Sequence, residues 1–149
     1  MALIARRGFA PVTPAVAQRL WVDTRRWPTF VDGFGRVLDI DESWPEPRSK
    51  VVWESGPAGR GRVTERIREY GEGVVAADVF DAQMAGVQTL RVEPADDGCA
   101  VFLSLEYELQ GAGPLRKLTD ALFIRRSLAM ALECTLRRFS TEAADEATL

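Results

Sequence analysis

The sequence predicts one α+β domain in which a curved antiparallel β-sheet, in β-α-α-β6-α order, wraps around a long C-terminal α-helix. Two observations carry this. From Gly35 to Leu109 apolar residues recur with a period of two between tight-turn signals, the pattern of an antiparallel meander. Residues 115–142 then contain neither glycine nor proline. They carry Leu115, Leu118, Leu122, Ala129, Leu132, Leu136 and Phe139 at three- and four-residue steps or multiples of them, which defines one apolar helix face. At about 1.5 Å per residue this helix would run about 40 Å, the width of the whole domain, so it must lie across the sheet.

The elements follow in order. Residues 2–9 form a short apolar run broken by Arg6 and Arg7, suited to an edge strand. Thr13-Pro14 is a helix start, an N-cap followed by proline at N1, and Val16, Leu20 and Trp21 keep helical spacing to Asp23. Trp27-Pro28 breaks that helix, and a second short one is predicted from Thr29 to Phe34. Strands are predicted at 36–42, 50–54, 62–70, 74–82, 87–93 and 99–109. Turns between them fall at the proline-rich segment after Trp44, at Gly56–Gly61, Gly71–Gly73, Met84–Gly86 and Asp96-Asp97-Gly98. The domain is expected to span residues 1–142, with 143–149 a short, frayed acidic tail.

Composition narrows the chemistry. At 149 residues, 46% hydrophobic and 28% charged, the chain is of one-domain size and able to bury a core without disulfides or metals. It has no histidine, which excludes Ser-His-Asp and Cys-His catalysis and every histidine-containing zinc site. Catalysis, if present, would fall to carboxylates, arginine, tyrosine, hydroxyls or bound water. A net charge of −3 gives no bulk attraction to nucleic acid. No stretch is long and apolar enough for a membrane span, and Met1–Phe9 lacks the h-region of a signal peptide, so a cytoplasmic protein is expected. Cys99 and Cys134 are then expected as two buried free thiols. The glycine-rich segment 56–61 lacks the Lys-Ser/Thr ending of a phosphate-binding loop and leads into a strand, so it is assigned to a hairpin turn that could serve as a lid. No metal and no cofactor is expected, and the oligomeric state is left open.

With these residues in view, the chain resembles the START-like (SRPBCC) superfamily, and within it the polyketide cyclase/dehydrase-like group. The resemblance rests on the Pro14–Asp23 helix with its Trp27-Pro28 exit and on the strand segment 61–70 (GRVTERIREY). The hairpin at Asp96-Asp97-Gly98 and the opening of the long helix at Gly113-Pro114-Leu115, with arginines 125–126 and 137–138 after it, complete the match. It implies a helix-grip fold and a hydrophobic ligand, lipid-like or polyketide-like, held between sheet and helix. In some members cyclisation or aromatisation takes place there.

Strand parity nominates the residues that face such a cavity. Val101, Leu103, Leu105 and Tyr107 share one face of the last strand, and Val63, Glu65 and Ile67 share one face of the 62–70 strand. Glu65 is thus a candidate general acid or ligand anchor, against a structural pairing with an arginine. Tyr107 is a candidate hydrogen-bond donor, against simple packing. Trp27 and Phe30 fall where the short helices of this fold close the pocket mouth, and Trp53 joins them as an aromatic lining residue. From the long helix Leu118, Leu122 and Arg125 are nominated, with Glu133 beside Arg125 as its partner. The competing reading lets both charges snorkel to solvent.

Three functions follow: binding or transport of a small hydrophobic molecule, an aromatase/cyclase-type enzyme using a cavity carboxylate, or a filled domain acting through protein–protein contacts. The shortage of polar residues on the inward faces favours the first.

Overall fold

A computed structural model describes residues 1–56, 61–110 and 114–148, with the side chains of 114–120 excepted. The chain forms β1 (Ala2–Ala10), α1 (Pro14–Val22), α2 (Trp27–Phe30), β2 (Phe34–Ile40), β3 (Lys50–Ser55), β4 (Arg62–Gly71), β5 (Val74–Phe80), β6 (Met84–Ala95), β7 (Gly98–Leu109) and α3 (Pro114–Ala147). The sheet has seven strands in the order β1-β7-β6-β5-β4-β3-β2, with each neighbouring pair antiparallel. Since β1 and β2 occupy opposite edges, α1 and α2 must carry the chain across the inner face of the sheet. This is the helix-grip arrangement the sequence predicts.

Local chemistry explains the helix positions. Thr13 caps α1 through its Oγ1, which accepts the Val16 N–H at 3.3 Å, and Pro14 occupies the first turn. Gln18 fixes α1 to the β4–β5 hairpin. Its amide donates to the carbonyls of Gly71 and Val74, and its Oε1 accepts the Gly73 N–H. Gly73 needs to be glycine there, since its φ of +75° is left-handed and a Cβ would lie 2.9 Å from the Val92 carbonyl oxygen. The second helix starts earlier than predicted, at Trp27, and ends at Phe30. The Trp27 indole donates to the Trp21 carbonyl at 2.8 Å, tying it to the end of α1.

Two predicted boundaries are corrected. Met84–Gly86, expected as a turn, is the start of β6, pairing with Tyr107–Leu109. The tail expected to fray from residue 143 is instead helical to Ala147, and Ala143 is fully buried. Arg26 anchors this end through Glu142 at 2.5 Å and Glu146 at 3.0 Å. In β4 the register shifts between Ile67 and Glu69, a bulge at Arg68 that sharpens the curl of the sheet and brings Tyr70, rather than Glu69, to the inner side opposite Val75.

The final helix runs beside β1. Arg125 donates to the Leu3 carbonyl, Glu133 pairs with Arg6 at 2.7 Å, Leu136 packs on Gly8, and Ser140 donates to the Phe9 carbonyl. Six strand residues cover about 20 Å and the matching fifteen helix residues about 22 Å, so the two elements keep in step. Its side chains satisfy carbonyls on the free edge of the sheet. Leu128, Leu132, Leu136 and Phe139 are buried below it. Among the described residues, no helix is long and apolar enough to cross a membrane.

Candidate functional site: a cavity between sheet and helix

Because α3 follows the β1 edge, the concave face of β3–β6 is covered only partly, and a cavity of about 460 Å3 remains. This lies within the range of about 300–1,000 Å3 usual for small-molecule sites. The interior is therefore not filled by its own side chains. Trp21, Trp27 and Phe30 of the short helices close one end, and Ile124, Leu128 and Leu132 of α3 form the roof. Trp53, Glu65, Val79, Met84, Gln88 and Leu103 rise from the sheet. The mouth lies where Gly33, Gln83, Phe123 and Ser127 line the cavity yet stay exposed.

The aromatic wall consists of two ring clusters, joined by the Trp27 indole hydrogen bond to the Trp21 carbonyl. Trp21 stacks on Phe30 with ring centroids 5.7 Å apart, and Phe139 meets both edge-on. Trp27 contacts Trp53 edge-on at 6.4 Å. Such pairs add to burial energy and hold the rings in place, so this end of the cavity is rigid.

Three of the polar lining groups are held by hydrogen bonds. The Trp53 indole N–H donates to Glu65 Oε2 at 2.7 Å, fixing the carboxylate on the inner wall. Asp81 Oδ1 accepts the N–H groups of Gln83 and Met84, closing the β5–β6 turn. Thr135, on α3, accepts the Asp32 N–H at 2.9 Å and so ties the α2–β2 loop to the helix. Among the described residues no group of acidic and cysteine side chains could hold a metal ion.

Of the residues nominated from sequence, Trp27, Phe30, Trp53, Glu65 and Leu103 line this cavity. Val63, Ile67, Leu105 and Tyr107 share its inner face but are buried in the surrounding core. The side chain of Leu118 and residues 57–60 of the expected lid lie outside the described residues. Two nominations from α3 are corrected. Leu122 is 71% exposed, because the buried row through Leu128 and Leu132 is offset from it. The 122–129 row differs by one residue, which turns it about 100° around the helix. Arg125 reaches the Leu3 carbonyl on the sheet edge, and Glu133 pairs with Arg6 rather than with Arg125. Cys99 is buried as expected, while Cys134 is only half-buried, with Arg137 3.5 Å from its sulfur.

Sequence reasoning missed Gln88, Val79, Met84 and Thr135. For Gln88 the signal was present: it shares parity with Leu90 and Val92, both buried. Asp32 and Asp81 sit in turns, where no periodicity marks a direction.

These features agree with what sequence and structure comparison find. The chain belongs to the polyketide cyclase/dehydrase and lipid transport family. The family model matches residues 5–144. No curated protein matches in sequence. Among solved structures, the Zhui aromatase/cyclase from a Streptomyces species is 15% identical with a TM-score of 0.73, covering 98% of this chain and 95% of that one. The di-domain aromatase/cyclase StfQ of the steffimycin biosynthetic pathway is 12% identical with a TM-score of 0.77, covering 99% of this chain and 52% of that one. Norcoclaurine synthase from Thalictrum flavum, solved with dopamine and hydroxybenzaldehyde, is 12% identical with a TM-score of 0.70, covering 97% of this chain and 87% of that one. At these identities the likeness establishes the fold. Together with the family it supports a hydrophobic-ligand-binding or cyclase role for the polyketide cyclase/dehydrase-like domain described here.

Proposed function

We propose that this domain binds a small, mainly apolar molecule, lipid-like or polyketide-like, in the cavity between the sheet and α3. The observation that carries the reading is the open, aromatic-walled cavity of about 460 Å3, large enough for a two- or three-ring molecule. An aromatase/cyclase-type activity is the second reading, favoured by one feature: the Glu65 carboxylate held on the inner wall by the Trp53 indole. It would serve there as the general acid or base while the cavity folds the chain.

The test is a titration with N-phenyl-1-naphthylamine, an uncharged probe whose emission rises in apolar surroundings. Saturable binding is expected, with loss of at least about tenfold in affinity in Ala131→Phe, which fills the cavity from α3. Absence of saturable binding to this probe and to a panel of lipid-like and aromatic molecules would defeat the reading. For the enzymatic alternative, Glu65→Gln should abolish cyclisation of a linear poly-β-ketone chain while leaving probe affinity intact. Parallel loss of both would assign Glu65 a structural role.

A further inference from the structure

Gln88 stands out in the cavity wall. It lies in the middle of an inner-face row that crosses the sheet through Ile67, Ala77, Gln88, Leu105 and Ile4. Its four row neighbours are buried and apolar. A primary amide in that row has two donors and an acceptor to satisfy, and among the described residues no protein group bonds to it. Glu65, Asp81 and Thr135 are each held by protein donors, and Gln83 and Ser127 lie exposed at the mouth. The neighbouring Ala77 side chain is small and leaves the amide room on the cavity side. Glu65 stands two strands away and two residues along, about 12 Å from Gln88 by strand spacing.

We propose that Gln88 is the specificity-determining contact of this cavity, hydrogen-bonding a hydroxyl or carbonyl of an aromatic or polyketide-like ligand. This deepens the binding reading and rests on it. The amide suits such a group because it can donate to a carbonyl and both donate to and accept from a hydroxyl. An amide placed in this way separates ligands that carry the partner from those that lack it.

The experiment uses one ring system with and without a hydroxyl, 2-naphthol and naphthalene, each competing with N-phenyl-1-naphthylamine for the unaltered protein. 2-Naphthol is expected to bind more tightly than naphthalene, by about tenfold. In Gln88→Leu, naphthalene should bind as before or tighter, while 2-naphthol loses its advantage. Equal affinity for 2-naphthol and naphthalene in the unaltered protein, or an advantage for 2-naphthol that survives Gln88→Leu, would overturn the proposal while leaving the cavity reading intact. Failure of N-phenyl-1-naphthylamine and of the lipid-like and aromatic panel to bind would overturn the cavity reading and this proposal with it. The order measured on the unaltered protein decides the matter even if the variant is unstable.

Discussion

Glu65 and the two cysteines show how the environment of one side chain sets its chemistry. Glu65 lies on an inner face with Val63 and Ile67, yet the Trp53 indole meets its oxygen, so the carboxylate has a fixed direction toward the cavity. Cys99 is fully buried, and burial raises its thiol pKa, the Ala10 backbone offsetting this in part. A raised folded-state value means that Cys99 contributes stability fully at pH below about 8.5, the ordinary thiol range, and loses it as pH rises through the folded value. Cys134 is half-buried on α3. Titration of the native protein with a thiol reagent at pH 8 should therefore show one fast group, Cys134, and one that reacts only on unfolding. Two fast groups would contradict the burial of Cys99.

At the scale of elements, the fold depends on a few polar staples between segments far apart in sequence. Gln18 joins α1 to the β4–β5 hairpin through Gly71, Gly73 and Val74, and only 7% of it is exposed. Removing its amide leaves two carbonyls and one N–H near the surface of the core without their partner. Gln18→Leu is expected to destabilise the protein by about 2–3 kcal/mol in urea denaturation, since each unpaired buried group costs about 1–3 kcal/mol. A loss below about 0.5 kcal/mol would mean that water replaces the amide. The edge of β1 is treated differently: Arg125 and Ser140 reach its carbonyls from α3, and this contact is what draws Arg125 away from the cavity.

Over the whole molecule, α3 has two characters. From Leu128 to Ala143 its inner row is buried against β1 and the aromatic cluster, whereas Leu122 and Phe123 are more than two-thirds exposed beside the cavity mouth. Local opening costs least where few apolar contacts are broken. Hydrogen exchange should accordingly be slower across residues 128–143 than across 121–127, and N-phenyl-1-naphthylamine should slow the latter segment selectively. Equal protection of the two segments with probe present and absent would show that the mouth takes no part in binding.

The sequence by itself determined the order of elements, the faces of β4 and β7, the aromatic end of the cavity and the place of Glu65. Those follow from period, turn chemistry and capping, which act between near neighbours. It did not determine the phase of α3, because apolar residues in its first turns form a row offset from the one that the sheet accepts, and only packing selects between them. It also did not separate Trp53 and Leu103, which line the cavity, from Val63 and Leu105, which lie buried on the same face. Gln88 gained its meaning only from neighbours on four other strands. Tertiary structure decided these points because a cavity is the space left between elements, and its shape depends on how far the helix sits from each strand.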